Sequence, residues 1–126
     1  MSNMLIREVQ MEAMSESFND DYINRIIPSL KKDCPEQCSV LGDDELRKIA
    51  RYGLDHSKLY GITTETNVYC YIEMMILFGK NFDVDPDKSW ASEILNNNEF
   101  IDEDEKTDFL CDAASEHLDK LERSGR

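Results

Sequence analysis

The chain has 126 residues, which is enough for one domain with its own core, and its 14 basic and 27 acidic residues give a net charge of −13. Nucleic-acid phosphate and anionic lipid would be repelled by this charge, so neither nucleic acid nor a membrane is an expected partner. No apolar stretch approaches the ~20 residues of a membrane span, and the amino terminus lacks the apolar core of a signal peptide, so the sequence predicts a cytoplasmic protein.

The first predicted helix covers about residues 5–32, where apolar residues recur at helical spacing. Pro28 lies inside this pattern, and a proline removes a backbone donor and crowds the preceding turn. We therefore expect a kink at Pro28 or a break into two helices near residues 19–21. The next segment has Pro35 suited to the first position of a short helical turn, and Gly42 ends it.

A second helix is predicted to begin after Asp43 or Asp44, either of which can cap it. Its inward stripe contains the small residues Ala50, Gly53 and Ser57. Because small side chains let two helix backbones come close, we expect this helix to pack tightly and antiparallel against the one that follows.

The central helix is predicted over about residues 64–78, where apolar residues run almost without interruption. Thr63 and Thr64 are candidate N-caps, and Gly79 stands where a C-cap glycine belongs. Glu73 lies on the narrow polar seam of this otherwise apolar helix. Such a helix needs neighbours on most sides, so the rest of the chain is expected to pack around it.

Two further helices are predicted towards the carboxyl end. Asp85 as N-cap with Pro86 after it favours a short helix over about residues 87–95, and Asp102 with Glu105 forms a capping box for a last helix through Glu122. The inward stripe of the last helix is predicted to be Phe109, Leu110, Ala113, Ala114, His117, Leu118 and Leu121. The fold class is therefore all-α, a compact bundle of five or six helices in a single domain over residues 1–126, with frayed ends at about 1–4 and 123–126.

One acidic loop resembles the start of a calcium-binding loop, because Asp83, Asp85 and Asp87 stand at alternate positions. Lys88 occupies the position that needs glycine, and Ile94 occupies the position that needs a bidentate glutamate. A capped, solvated helix start is the better interpretation, and neither a metal nor another cofactor is expected.

The cysteines do not form a zinc signature. Cys34 and Cys38 are spaced more widely than a compact structural zinc site requires, and no second pair follows. Cys70 and Cys111 fall at apolar helix positions and are predicted to be buried, reduced thiols. No residue has the surroundings of a nucleophile, so the chain is not expected to be an enzyme.

Several packing and turn residues together carry a resemblance to a known group of proteins. They are Cys-Pro-Glu-Gln-Cys at 34–38, Leu41-Gly42, Tyr60-Gly61-Ile62-Thr63-Thr64-Glu65 with Val68, Gly79 with Phe82-Asp83 and Asp85-Pro86, Trp90-Ala91, and Ile94-Leu95. With these residues, over roughly residues 5–120, the chain resembles small, mostly uncharacterised helical proteins encoded in bacterial type VI secretion loci, beside spike proteins, PAAR-type tips and toxic effectors.

The resemblance implies a cytosolic accessory protein that binds a co-encoded secreted effector before export, as an adaptor or chaperone. The alternative is an immunity protein that neutralises a cognate toxin, with its acidic last third standing in for a substrate such as nucleic acid. A remote alternative is a metal-dependent enzyme that uses Asp83, Asp85 and Asp87.

The charge distribution indicates where a partner would dock. Residues 83–126 contain 14 acidic and 5 basic side chains, a net charge of −9, so this third of the chain produces most of the electrostatic field. The predicted partner-binding residues are three aromatic anchors and an acidic run, namely Tyr69, Tyr71, Trp90, Asp102, Glu103, Asp104 and Glu105.

Overall fold

The computed structural model describes residues 19–124, which form five α-helices and three short 3-10 turns, with no strand in that range. The helices are α1 (residues 19–33), α2 (Pro35–His56), α3 (Glu65–Phe78), α4 (Ser89–Leu95) and α5 (Glu103–Ser124), and the 3-10 turns are Ser57–Tyr60, Phe82–Val84 and Pro86–Lys88. The predicted all-α bundle is confirmed. The predicted helical stretch before residue 19 and the expected frayed end at 1–4 lie outside the described residues. Of the frayed end expected at 123–126, residues 123 and 124 still belong to α5, and residues 125 and 126 lie outside the described residues.

Helix α1 continues through Pro28, which is exposed, without leaving the helical conformation. The helix lies antiparallel to α2, because Asp20 pairs with Arg51 at 2.6 Å near one end and Lys31 pairs with Asp43 at 2.7 Å near the other. These are exposed ion pairs, worth at most about 1 kcal/mol each, so α1 is held mainly by its buried side chains.

Helix α2 is interrupted at Gly42, whose φ of 80° and ψ of 163° are not helical. The predicted separation into a short segment before Gly42 and a longer helix after it is therefore confirmed. In the longer part Gly53 is buried against α3: a Cβ placed there would lie 2.7 Å from Cγ1 of Ile72 and 2.8 Å from Sδ of Met75. The predicted close antiparallel packing of the two helices depends on this glycine.

The central helix α3 supplies much of the core, as its nearly uninterrupted apolar sequence predicts. The largest side chains that are completely enclosed include Tyr71, Phe82, Ile23, Leu30, Leu46, Ile62, Ile72, Met75, Leu95 and Leu110. Glu73 is only half-buried, in agreement with its place on the polar seam, and burial raises the pKa of its carboxyl group. None of the helices between residues 19 and 124 is both long and apolar enough to cross a membrane.

Candidate protein-binding surface

An exposed aromatic surface lies where the connector between α4 and α5 meets the first turns of α5. Phe100 and Phe109 are packed with ring centroids 5.2 Å apart, and they line a cavity of about 520 Å³ together with Ile94. Phe109 is 54% exposed, and the adjacent Ile101 is 86% exposed. We call this region, with the glutamates described below, the Phe109 surface.

The connector is held in place by short-range hydrogen bonds. The Asn96 side chain donates to the carbonyl of Ser92 at 2.8 Å and ends α4, and the Asp102 carboxylate accepts from the backbone N–H of Glu105 at 3.0 Å. The Glu105 carboxylate accepts from the N–H of Ile101 at 3.2 Å. Asp102 therefore caps α5 as predicted, and the reciprocal bond fixes the connector beside Phe109.

Three glutamates surround the aromatic pair: Glu93 and Glu99 are exposed, and Glu105 is half-buried. Between residues 19 and 124, none of the three takes part in an ion pair. The cation that follows Glu105 in sequence, Lys106, is buried and donates its Nζ hydrogens to the carbonyls of Tyr60 and Leu95 at 2.9 and 3.0 Å. The Phe109 surface therefore combines apolar area with negative charge that forms no ion pair with a cation of residues 19–124.

The predicted position of Phe109 on the inward stripe of α5 is wrong. The buried residues of α5 are Lys106, Thr107, Leu110 and Ala114, so the core-facing side is centred away from Phe109. Leu121, also predicted to face inward, is 52% exposed.

The predicted aromatic anchors are not at this surface. Tyr71 is 0% exposed, so it offers no area to a partner, and the hydroxyl of the half-buried Tyr69 donates to the Asp33 carboxylate. Trp90 is half-buried, with its ring centroid 5.5 Å from that of Phe78 and 5.6 Å from that of His117.

Glu103, one of the predicted docking carboxylates, instead caps the central helix. Its oxygens accept from the backbone N–H groups of Thr63 and Thr64 at 3.0 and 2.9 Å, from both threonine hydroxyls, and from the Asn67 amide at 3.0 Å. Burial alone would raise the pKa of this carboxyl group, but the donors outweigh burial and lower it to about 2. Asp104 also accepts from the Asn67 amide, at 2.7 Å, while Asp102 and Asp104 remain exposed. Glu103 is therefore a structural residue.

The three aspartates of the calcium-like loop have separate roles. Asp83 is 2% exposed, and its Oδ2 accepts from the Tyr60 hydroxyl at 2.6 Å and from Nε2 of His56 at 2.9 Å. Asp85 accepts from the backbone N–H of Asp87 at 2.9 Å and thereby caps the turn Pro86–Lys88, as predicted. The part of the chain that the structure describes contains no group of three or more His, Cys, Asp or Glu side chains that could hold a metal ion.

The environment of Asp83 is a buried aromatic cluster. The His56 ring stacks on that of Tyr52 with centroids 4.8 Å apart, and burial, reinforced by the bond to Asp83, raises the pKa of the Tyr60 hydroxyl. The Tyr71 hydroxyl is enclosed nearby and has no hydrogen-bond partner among the described residues. This arrangement keeps the phenols protonated and joins the turns Ser57–Tyr60 and Phe82–Val84 to α3.

All four cysteines are free thiols. Cys34 and Cys38 are buried, and burial raises the pKa of Cys34 to about 11. Cys70 and Cys111 are half-buried rather than fully buried as predicted. The interaction between these two thiols, one on α3 and one on α5, lowers the pKa of Cys70 and raises that of Cys111.

One signal in the sequence could have revealed the Phe109 surface. Phe100 and Ile101 are two large apolar residues side by side in an otherwise polar connector, where a core role is not available to both.

No protein-family model matches the chain, and neither the curated proteins nor the solved structures include a significant match.

Proposed function

We propose that this chain is a non-enzymatic accessory protein that binds a positively charged segment of a client protein through the Phe109 surface. The observation that carries the proposal is the exposed Phe109 packed against the half-buried Phe100, surrounded by glutamates that have no ion-pair partner among residues 19–124. Aromatic residues that become buried in a complex commonly dominate its affinity, and charged residues around them steer the encounter.

The client is, in this proposal, a secreted effector encoded beside the chain in a type VI secretion locus and bound in the cytoplasm before export. The sequence resemblance supports this choice of client, and the net charge of −9 over residues 83–126 supports a cationic binding segment. Glutamates at the edge should mainly raise the association rate, whereas the phenylalanines should mainly slow dissociation.

The test is co-expression of the tagged chain with the product of the adjacent effector gene, followed by co-purification. The informative variant is Phe109→Ser, and the matched control is Leu121→Ser, because both residues lie on α5 and are 54% and 52% exposed. We expect Phe109→Ser to abolish or strongly reduce co-purification and Leu121→Ser to leave it unchanged. Equal effects of the two variants, or no co-purification with the unmodified chain, would contradict the proposal.

The electrostatic part has its own measurement. Replacing Glu93 and Glu99 with lysine should slow association with the client and reduce its dependence on salt, with little change in dissociation. The control exchanges Glu116 and Glu122 for lysine, since these exposed residues lie further along α5 and carry the same charge. If both double variants slow association with the client equally, the effect comes from net charge rather than from this surface.

An immunity protein is the second candidate, favoured by the same acidic surface, which would complement a toxin site that binds an anionic substrate. A growth assay separates the two functions. Toxicity that disappears in recipient cells producing the chain would favour immunity, whereas retained toxicity with lost secretion after deletion of the gene would favour the adaptor.

A further inference from the structure

Among the described residues, a second candidate surface lies on the opposite side of α2 from its ion pairs with α1, between α2 and the end of α3. The two helices touch at Gly53, and towards Gly79 they border a groove of about 580 Å³. The interruption at Gly42 sets the first part of α2 apart from the second, so that both parts contribute to the lining. The groove is lined by Glu36, Gln37, Val40, Leu41, Glu45, Ile49, Met75, Ile76, Gly79 and Lys80.

Half of the lining residues carry large apolar side chains, namely Val40, Leu41, Ile49, Met75 and Ile76, and of these Val40 is 87% exposed. Ile49, Met75 and Ile76 are buried and form the floor. A groove between two helices with aliphatic walls matches the apolar face of a third helix, whose side chains recur at positions i, i+3, i+4 and i+7.

The charged residues at this groove specify the partner further. Glu36 and Glu45 are exposed and form no ion pair within the described residues, 19–124. The one cation of the lining, Lys80, places its Nζ 4.2 Å from the centre of the Tyr52 ring and is engaged there. A helix with lysine or arginine beside its apolar stripe complements both features.

We propose that the α2–α3 groove binds an amphipathic α-helix of the client that carries basic residues next to its apolar face. The proposal rests on the proposed function, in that the chain binds a client at all. The groove shares no lining residue with the cavity of the Phe109 surface, so the chain holds two separate segments of one client.

The test uses a fluorescently labelled helical peptide with leucines at i, i+3, i+4 and i+7 and lysines beside them, and a scrambled peptide of the same composition as control. Val40→Gln should weaken binding of the helical peptide about tenfold, the effect of removing one apolar contact of an interface. Val84→Gln is the matched control, because Val84 is also exposed, at 67%, and lies outside the groove. Neither substitution changes the net charge.

The expected result is binding of the helical peptide in preference to the scrambled one, sensitive to Val40→Gln and to Glu45→Lys but not to Val84→Gln. Equal binding of both peptides, or equal effects of the two valine variants, would overturn the groove proposal. Co-purification with the client distinguishes failure of the groove proposal from failure of the proposed function. If the client no longer co-purifies with Phe109→Ser but still co-purifies with Val40→Gln, the proposed function holds and the groove proposal fails.

Two other occupants are outcomes of the same experiment. Dimerisation of the full chain that Val40→Gln abolishes would assign the groove to a second copy. Peptide binding that occurs only when the full chain carries Ile6→Asp and Val9→Asp would assign it to the chain's own amino-terminal residues. Either result would overturn the proposal of a client helix.

Discussion

Replacing Gly53 with alanine tests the packing that positions α2 against the central helix. Two effects oppose each other at this position. Alanine favours a helix interior over glycine by about 0.5–1 kcal/mol, which would stabilise the fold. The added methyl group, however, would lie 2.7 Å from Cγ1 of Ile72 and 2.8 Å from Sδ of Met75.

The steric effect should be the larger. Carbon atoms prefer separations of about 3.5–4.0 Å, so the methyl group overlaps both neighbours by about 1 Å. Ile72 is 0% exposed and its β-branched side chain is enclosed, whereas Met75, at 1% exposed, borders the groove between α2 and α3 and has a flexible side chain, so the clash with Ile72 is the costlier one. Overpacking of this kind costs about 1–3 kcal/mol, so with about 0.5–1 kcal/mol of helix preference subtracted the net loss of stability should lie between about 0 and 2.5 kcal/mol, with a central value of about 1 kcal/mol.

Urea denaturation followed by circular dichroism measures this loss directly. At a typical slope of about 2 kcal/mol per molar urea, a loss of about 1 kcal/mol lowers the midpoint by about 0.5 M. The helix preference alone is measured in the same helix by comparing Lys48→Gly with Lys48→Ala, since Lys48 is exposed. The midpoint of Lys48→Ala should lie above that of Lys48→Gly. If Gly53→Ala likewise raises the midpoint above that of the unmodified chain, the close approach of α2 and α3 is wrong.

Three further predictions concern buried or half-buried polar groups. Because the folded state lowers the pKa of Glu103 to about 2, the stability it contributes is present above the ordinary carboxyl pKa of 4.5 and is lost as pH falls towards 2. The difference in unfolding free energy between the unmodified chain and Glu103→Gln should therefore be larger at pH 7 than at pH 2, and a constant difference would contradict the capping role. Cys70, with its lowered pKa, should react with iodoacetamide before Cys111, as mass spectrometry of the native protein can show, and the reverse order would contradict the opposite pKa shifts of the two thiols. Asp83→Asn should reduce the free energy of unfolding by about 1–3 kcal/mol, because the half-buried Tyr60 hydroxyl loses its bond to the buried carboxylate, and unchanged thermal and urea midpoints would count against this.

The helices could be predicted from the sequence because apolar spacing, caps and glycine interruptions act between residues that are close together in the chain. The central helix was predicted at about 64–78 from its apolar run and found at Glu65–Phe78. The interruption at Gly42 and the cap at Asp102 followed from the backbone freedom of glycine and the hydrogen bonding of aspartate to its own neighbours.

The side-chain environments could not be predicted in the same way, because they depend on residues far apart in the sequence. Glu103 lies in an acidic run that looks solvated, and only the fold brings it to the donors of Thr63 and Thr64. Phe109 fits a helical stripe by spacing, but the side of α5 that faces the core is fixed by how the other helices pack. The sequence pattern alone therefore placed its aromatic ring on the wrong side.

The cap on the central helix also has a consequence for biosynthesis. Thr64 and Glu103 are 39 residues apart, so at about 5–20 residues per second a ribosome needs about 2–8 s after adding the threonine to add the glutamate. During that interval the N–H groups of Thr63 and Thr64, which lead into α3, lack the carboxylate that accepts from them in the folded chain. The most apolar helix of the chain is thus translated well before the carboxylate that completes it, and a nascent chain halted ahead of Glu103 would hold that helix without its cap.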